Sequence, residues 1–198
     1  SIKDLMDTMI ITSDNTASDL LIEKAGGAKT VTAFLHDRKL TNMRVDRTEA
    51  EMLAETLDIT LPPKTEWTHK MFKDYLDSVT AKDKESIRRR NAGNLKDTAT
   101  PKAMKLLKPE LTNLILDAML RCETGAKRLK GLLPKEVKVA HKTGTDFIAT
   151  NDVGIINLPN KEGHIAIAVF VNNSDKPMPE QEKAIAEVAR SIYSFFAS

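Results

Sequence analysis

Ser13-Asp14-Asn15-Thr16-Ala17-Ser18-Asp19-Leu20-Leu21-Ile22, closed by Gly26-Gly27, is the stretch on which the fold turns. Its apolar positions Ala17, Leu20, Leu21 and Ala25 lie on one face at helical spacing. Ser, Asp and Asn satisfy the open N–H groups of a first helical turn, so Asn15 or Thr16 can cap this helix. Gly26-Gly27 ends it, because glycine takes the left-handed backbone without steric cost. The same polar residues can do chemistry: Ser13 as a proton relay, Asn15 as an amide binder, Asp14 as the group that ties the turn together. About 130 positions later the chain carries a companion, Lys142-Thr143-Gly144. It ends the apolar run 137–141, which reads as a strand. A Lys there puts a cation into a cleft, where it can hold a carboxylate or depress a neighbour's pKa. Thr143 adds a hydroxyl donor, Gly144 lets a ligand approach the backbone, and the N–H of Thr145 can aim at an acyl oxygen.

Composition narrows the classes. Thirty basic against 28 acidic residues leave a net charge of +2, which argues against an electrostatically driven nucleic-acid binder. Arg88-Arg89-Arg90 follows mixed charges and reads as a solvated helix face. The single cysteine, Cys122, cannot form an intrachain disulfide. His36, His69, His141 and His164 are scattered, with no Cys/His grouping at ligand spacing, so no metal and no cofactor is expected. No stretch approaches the length of a membrane span. Ser1 to Met6 already reads as an amphipathic helix with no initiator Met or apolar signal core, so the chain is expected to be cut from something longer.

Helices dominate the first two thirds. One starts near Ala28 with Val31, Phe34 and Leu35 inward, and the chain is irregular from Thr41 to Arg47. Residues 53–97 are broken by Pro62-Pro63; Trp67, Met71, Tyr75, Leu76 and Val79 then recur as a short amphipathic helix. Thr100-Pro101 starts another helix, and Pro109 ends it. Leu111, Leu114, Ile115, Ala118, Met119 and Cys122 form the apolar face of the next. After Pro134 the pattern changes to short β-branched runs at 137–141, 153–158 and 165–171, with a hairpin turn at 160–163. A last helix over 180–196 is expected to bury Ala184, Ile185, Val188, Ala189, Ile192, Phe195 and Phe196. The architecture is α/β in the α+β sense: a mainly helical part, 1–134, and an antiparallel sheet covered by a C-terminal helix, 135–198, sharing one crevice.

Taken together, these motifs make the chain resemble the class A serine β-lactamases over almost its whole length. S-D-N-T-A before an apolar helix and a G-G turn is typical of that family. Arg47-Thr48-Glu49-Ala50-Glu51 resembles the start of its Ω loop, and Thr98-Ala99-Thr100-Pro101-Lys102-Ala103-Met104 the helix after it. Thr124-Gly125-Ala126-Lys127-Arg128-Leu129 and Gly131-Leu132-Leu133-Pro134 lead into K-T-G as the family does. Asn151-Asp152-Val153-Gly154 and the run 165–170 match its final strands. The flavour is that of the extended-spectrum and Bacteroides-type branch. The resemblance implies β-lactam hydrolysis through an acyl-enzyme. It implies Ser13 as proton relay, Glu49 as the base for the deacylating water, and Lys142 with Thr143 as receivers of the substrate carboxylate. Asn15 would bind the side-chain amide, Gly144 would admit the substrate, Thr145 would supply an oxyanion N–H, Asp14 would tie the turn, and Arg47 with Asp97 would close the neck of the loop. The location it implies is periplasmic or secreted.

Four features depart from the family. No serine is followed three positions later by lysine, so the S-x-x-K nucleophile is absent. Leu53 stands where an Asn usually holds the deacylating water. Arg47 to Asp97 spans 51 positions, a long Ω-like loop. No arginine is found on the last strands, Val153 and Glu182 standing at the two usual places. The chain alone is expected to be inactive. The alternatives are a D-alanyl-D-alanine peptidase of the penicillin-binding type, which Glu49 argues against, and a non-catalytic binding module. The strand 165–171 alternates Ile165, Ile167, Val169 and Val171 with Ala166, Ala168 and Phe170, so both faces are expected to be buried. Its edge would lie open to a missing N-terminal segment or a second copy.

Overall fold

The computed structural model describes residues 1–57, 59–78, 108–146, 148–159 and 163–197. Asp97, the Arg88–Arg90 run, the helix expected from Thr100 and the tip of the 160–163 turn lie outside them. The chain packs as two compact units, one of Ser1–Ala17 with Thr100–Ser198, the other of Ser18–Ala99.

In the first unit, α1 (Ile2–Ile11) is capped by Ser1, whose hydroxyl accepts from the Asp4 N–H. It packs on α6 (Pro109–Leu120), fastened where the Arg121 guanidinium lies 2.9 Å from Asp7 and the Glu123 N–H donates to Ile11 O at 3.0 Å. Proline opens α6 at its first turn, where a missing N–H costs nothing. Pro109 thus belongs to α6. The sheet is antiparallel in the order β1 (Val139–Thr145), β2 (Ala149–Asn157), β3 (His164–Asn172), and α7 (Met178–Phe196) covers one face. Leu129, Val139, Ile156, Ile185, Ala189 and Tyr193 form the core between sheet and helix.

The second unit carries α3 (Ala28–Asp37), α4 (Glu49–Leu57) and α5 (His69–Ser78). Helix α2 (Asn15–Lys24) begins in the first unit and ends in the second. Gly26 and Gly27, at φ of 92° and 91°, close α2 as expected. The short helix after Trp67 is present as α5, while the Trp67 indole donates to Pro62 O at 2.8 Å. Helix α4 was not anticipated: its start is held by a capping box, in which Thr48 and Glu51 exchange hydrogen bonds.

Several sequence expectations need correction. K-T-G lies within β1, because its backbone continues the ladder with β2. The α2 cap is Asp14, whose carboxylate accepts from the Ala17 N–H at 2.7 Å, so Asn15 is the first helical residue. Leu20 and Phe34 are exposed; the Phe34 ring carries the Arg38 guanidinium 3.4 Å above its centroid. Along α7, Ile185, Ala186, Ala189 and Tyr193 are buried, whereas Ala184, Val188, Phe195 and Phe196 are exposed. The helix meets the sheet along one stripe, and the two terminal rings pack edge to face on each other. One face of β3, with Ile165, Ile167, Val169 and Val171, packs on the core; Ala166, Ala168 and Phe170 are exposed, since among the described residues no second layer covers them.

Burial separates two positions of α7 cleanly. Ile185→Ala is expected to lower the unfolding free energy by about 2–5 kcal/mol through the cavity it leaves. Val188→Ala, on the exposed side, should stay within about 0.5 kcal/mol. Urea titration of the two variants checks the difference; equal losses would mean α7 is seated on another stripe.

Candidate functional site

The site grows from the junction of α1 and α2 and from β1. After α1 the chain turns through Ser13 at a φ of 59°, a left-handed conformation uncommon for a residue with a side chain. Asp14 then caps α2, so the turn is fixed from both sides. This sets the Ser13 hydroxyl against β1, where Lys142 Nζ donates to Ser13 Oγ at 2.7 Å and to the carbonyl of Thr143 at 2.7 Å. The two polar motifs thus meet directly, across 129 positions. Asn15, two residues beyond Ser13, is exposed at the start of α2.

Strand alternation sorts β1. Val139, His141, Thr143 and Thr145 share the core side, and Lys142 and Gly144 the other. Thr143 is 8% exposed, and its hydroxyl is 2.6 Å from Thr124 Oγ1. Gly125 passes so close at a φ of 66° that a Cβ there would collide with the Thr143 methyl. A Cβ on Gly144 would meet nothing nearer than Asn151 Cβ at 3.7 Å, so its outer face has room.

Arg128 was missed as a site residue. Only 5% exposed, it lies beneath the end of β1. Its guanidinium donates to Gly144 O at 3.1 Å, to Asn151 O at 2.8 Å and to Thr145 Oγ1 at 2.8 Å, with Glu182 Oε1 3.2 Å away. The strands carry no arginine at the expected places, but a planar fork from the preceding loop reaches the same end of the sheet. Glu182, read as standing in an arginine's place, is its partner. The sequence signal was an arginine inside Thr124–Leu129, a block otherwise recognised only as a lead-in.

Beneath K-T-G lies a second missed group. His141 Nδ1 is 2.9 Å from both carboxylate oxygens of Asp152, and both side chains are fully buried. Asp152 also accepts from the Leu129 N–H at 3.2 Å. Burial pushes the His141 ring down, but Asp152 and then Cys122 outweigh it, so its pKa is raised above the ordinary value. Burial pushes the Cys122 thiol up, yet the adjacent His141 and the Thr124 hydroxyl outweigh it and lower it to about 7.

Glu49 and Arg47 lie in the other unit. Glu49 opens α4, and its N–H donates to Asp19 Oδ1 at 2.6 Å while the Ala50 N–H donates to Asp19 Oδ2 at 3.1 Å. The Asp19 carboxylate therefore complements the helix N-terminus. Arg47 Nε lies 3.0 Å from Glu55 Oε2 in an exposed pair. Among the described residues no group of three or more His, Cys, Asp or Glu could hold a metal ion, and no helix is long and apolar enough to cross a membrane.

Comparison with known proteins gives this arrangement its context. A sequence model of the beta-lactamase enzyme family matches residues 1–196. Beta-lactamase VEB-1 of Pseudomonas aeruginosa is 31% identical over 99% of this chain and 60% of its own length. Extended-spectrum beta-lactamase PER-1 of the same organism is 30% identical over 98% of this chain and 56% of its own. The crystal structure of TLA-3 extended-spectrum beta-lactamase superposes with a TM-score of 0.69 at 30% identity, covering 100% of this chain and 65% of that one. A class A beta-lactamase from Bacteroides cellulosilyticus gives a TM-score of 0.69 at 25% identity. The chain belongs to the beta-lactamase enzyme family, in its class A branch, and has the fold of that class. It spans about 60% of the length of the curated relatives it matches.

The buried pair makes a stability prediction. Asp152→Asn removes one partner of a buried ion pair and should cost about 3–5 kcal/mol near pH 6. The folded His141 holds its proton more tightly than the unfolded one. Its stabilisation is therefore complete below the unfolded value of 6.5 and fades as pH rises through the raised folded value. Cys122 acts in the opposite sense, contributing above its ordinary value of 9.0 and losing that as pH falls through about 7. The gap between wild type and Asp152→Asn should narrow as pH rises, as read by chemical denaturation; a pH-independent gap would show that the pair carries no proton linkage.

Proposed function

We propose that this chain supplies the substrate-binding wall and the proton-handling groups of a serine β-lactamase that opens the β-lactam amide through an acyl-enzyme. The observation that supports this reading is the contact of Lys142 Nζ with Ser13 Oγ at 2.7 Å, since both motifs must serve one small substrate. The ammonium group of Lys142 draws a carboxylate, and the Thr143 hydroxyl donates to it in a charge-assisted bond. Gly144 leaves space for the ligand against the strand, and Thr145 aims its N–H at the acyl oxygen. Asn15 binds the side-chain amide. Ser13, held by Lys142, relays a proton to the departing nitrogen. Glu49 activates the water that releases the acyl group. Asp14 keeps Ser13 in its turn.

The 198 residues contain no Ser-x-x-Lys, so the acylating serine is not among them. Without a nucleophile, binding and oxyanion groups leave only a residual rate. Because β-lactams act on targets outside the cytoplasm, the site of action is periplasmic or secreted.

The purified chain is expected to leave nitrocefin intact. Turnover that Glu49→Ala abolishes would refute that expectation. Lys142→Ala should weaken benzylpenicillin binding by about tenfold or more, the worth of one hydrogen bond to a charged group. Gly144→Ala, which has room inside the fold, should melt like wild type yet bind less well. Calorimetry and thermal melting read both; unchanged affinity in both variants would remove K-T-G from the binding site.

The outer edge of β3 supports a further part of this reading. β3 pairs with β2, and among the described residues no strand lies on its other side. An open apolar edge is a template for strand addition, here by a further segment of the same protein or by a second copy. Sedimentation of the chain should show association or poor solubility; a dilute monomer that melts cooperatively would overturn this.

A further inference from the structure

Cys122, Thr124 and Thr143 form a chain of side-chain contacts that ends at the site. Cys122 Sγ is 3.3 Å from Thr124 Oγ1, and Thr124 Oγ1 is 2.6 Å from Thr143 Oγ1. Behind the thiol stands His141, whose Nε2 is buried and makes no hydrogen bond of ordinary geometry, while its Nδ1 is taken by Asp152. Each hydroxyl in such a chain has one proton, so donating in one direction precludes donating in the other. A thiol can donate to Thr124 Oγ1 at 3.3 Å, nearer than the Thr124 carbonyl at 3.8 Å; Thr124 is then free to donate to Thr143, and the Thr143 proton remains for a ligand. A thiolate accepts only; Thr124 then donates to sulfur, Thr143 donates to Thr124, and nothing is left for the ligand.

We propose that Cys122 is a positioning residue whose protonation sets the direction of the Thr124–Thr143 hydroxyl chain, and with it the ability of Thr143 to donate to a bound carboxylate. This rests on the reading that Thr143 receives a carboxylate. The step moves protons only: the thiol proton leaves to solvent, the two hydroxyls rotate, and no heavy-atom bond changes. The thiol's value of about 7 places the reversal near neutral pH.

Other charges near Cys122 are held elsewhere. Lys130 Nζ donates to the Cys122 carbonyl at 3.1 Å. Arg121, at the end of α6, is engaged with Asp7 of α1 and Asp117 of α6. The neighbouring Glu123 binds α1 through its backbone N–H, and the residue is exposed to solvent. From the sheet, His141 and Asp152 are the titratable pair behind the thiol, and Lys142 projects from the opposite face of β1. The imidazole is the neighbour whose charge couples most directly to the sulfur.

Because Cys122 is the single cysteine, its thiolate absorbance in the ultraviolet titrates one group. The full chain would be titrated with acetate, a plain carboxylate, from pH ~6 to ~8.5, where acetate stays charged, following the amide resonances of Thr143 to Thr145. Wild type should lose affinity about tenfold across this range, with the midpoint of the thiol absorbance. Cys122→Ser, which keeps a neutral hydroxyl, should hold the low-pH affinity throughout. Thr124→Val should leave the thiol titrating while abolishing the pH dependence of acetate binding, and it decides the matter if the serine variant does not fold. A fall that persists unchanged in either variant, a wild type with no fall, or no acetate response at any pH would overturn the proposal. Acetate needs no β-lactam chemistry, so failure to bind benzylpenicillin alone would sink the functional reading and leave this comparison decisive.

Discussion

The register between β1 and β2 is the constraint on which the rest depends. Thr143 stands opposite Asp152, and His141 opposite Gly154. Asp152 and Gly154 share the core side of β2, so the imidazole leans diagonally onto the carboxylate over a residue with no side chain. A Cβ at Gly154 would come within 2.5 Å of Ala140 O and 2.8 Å of His141 Cβ. That glycine therefore leaves room for the imidazole and for close strand pairing alike. A slip of one residue would carry His141 and Thr143 to the opposite face and Lys142 to the core side. The buried pair, the threonine contact and the lysine's reach to Ser13 exist together in one alignment only.

Two kinds of support converge on this end of the sheet. Arg128, tied to Glu182, takes up the Gly144 and Asn151 carbonyls and the Thr145 hydroxyl with one rigid group. A buried arginine with one acidic neighbour and several oxygen acceptors has its desolvation offset by good geometry. On the other face, Lys142 spends hydrogen bonds on Ser13 and on its own strand, which fixes an otherwise flexible ammonium group. The Ser13 turn stores backbone strain of order 1–3 kcal/mol, held by the Asp14 cap and by the lysine. The polar end of the sheet is thus positioned in advance of any ligand.

Much of this could be read from the chain alone, and the reasons differ by element. The glycine pair after α2, the β-branched runs and the final helix carry strong local signals, so their existence was legible although the ends shifted by a few residues. The sequence pattern ends the strand before K-T-G because Lys and Gly are not β-branched and Thr is polar; the ladder with β2 keeps them in it. Periodicity marks the exposed stripe of α7 and the outer face of β3 as apolar, but it reports which residues are apolar and not which of them meet a neighbour. Arg128, His141 and Asp152 were invisible as a group for a different reason. Each is an unremarkable residue in its own segment, and only strand pairing and the Thr124–Leu129 loop bring them together.

The close passage of Gly125 beside Thr143 bears on how this family can change over time. Three things oppose a larger residue at 125: a left-handed backbone at φ 66°, a collision with the Thr143 methyl, and a tight 3.2 Å approach to Arg128 Cδ. A serine at 143 would remove the collision while keeping the hydroxyl, leaving the left-handed penalty of roughly 1–2 kcal/mol and the crowding against Arg128. The two positions are therefore coupled in this fold: threonine at 143 and a side chain at 125 compete for the same space, so a change at one alters what the other tolerates.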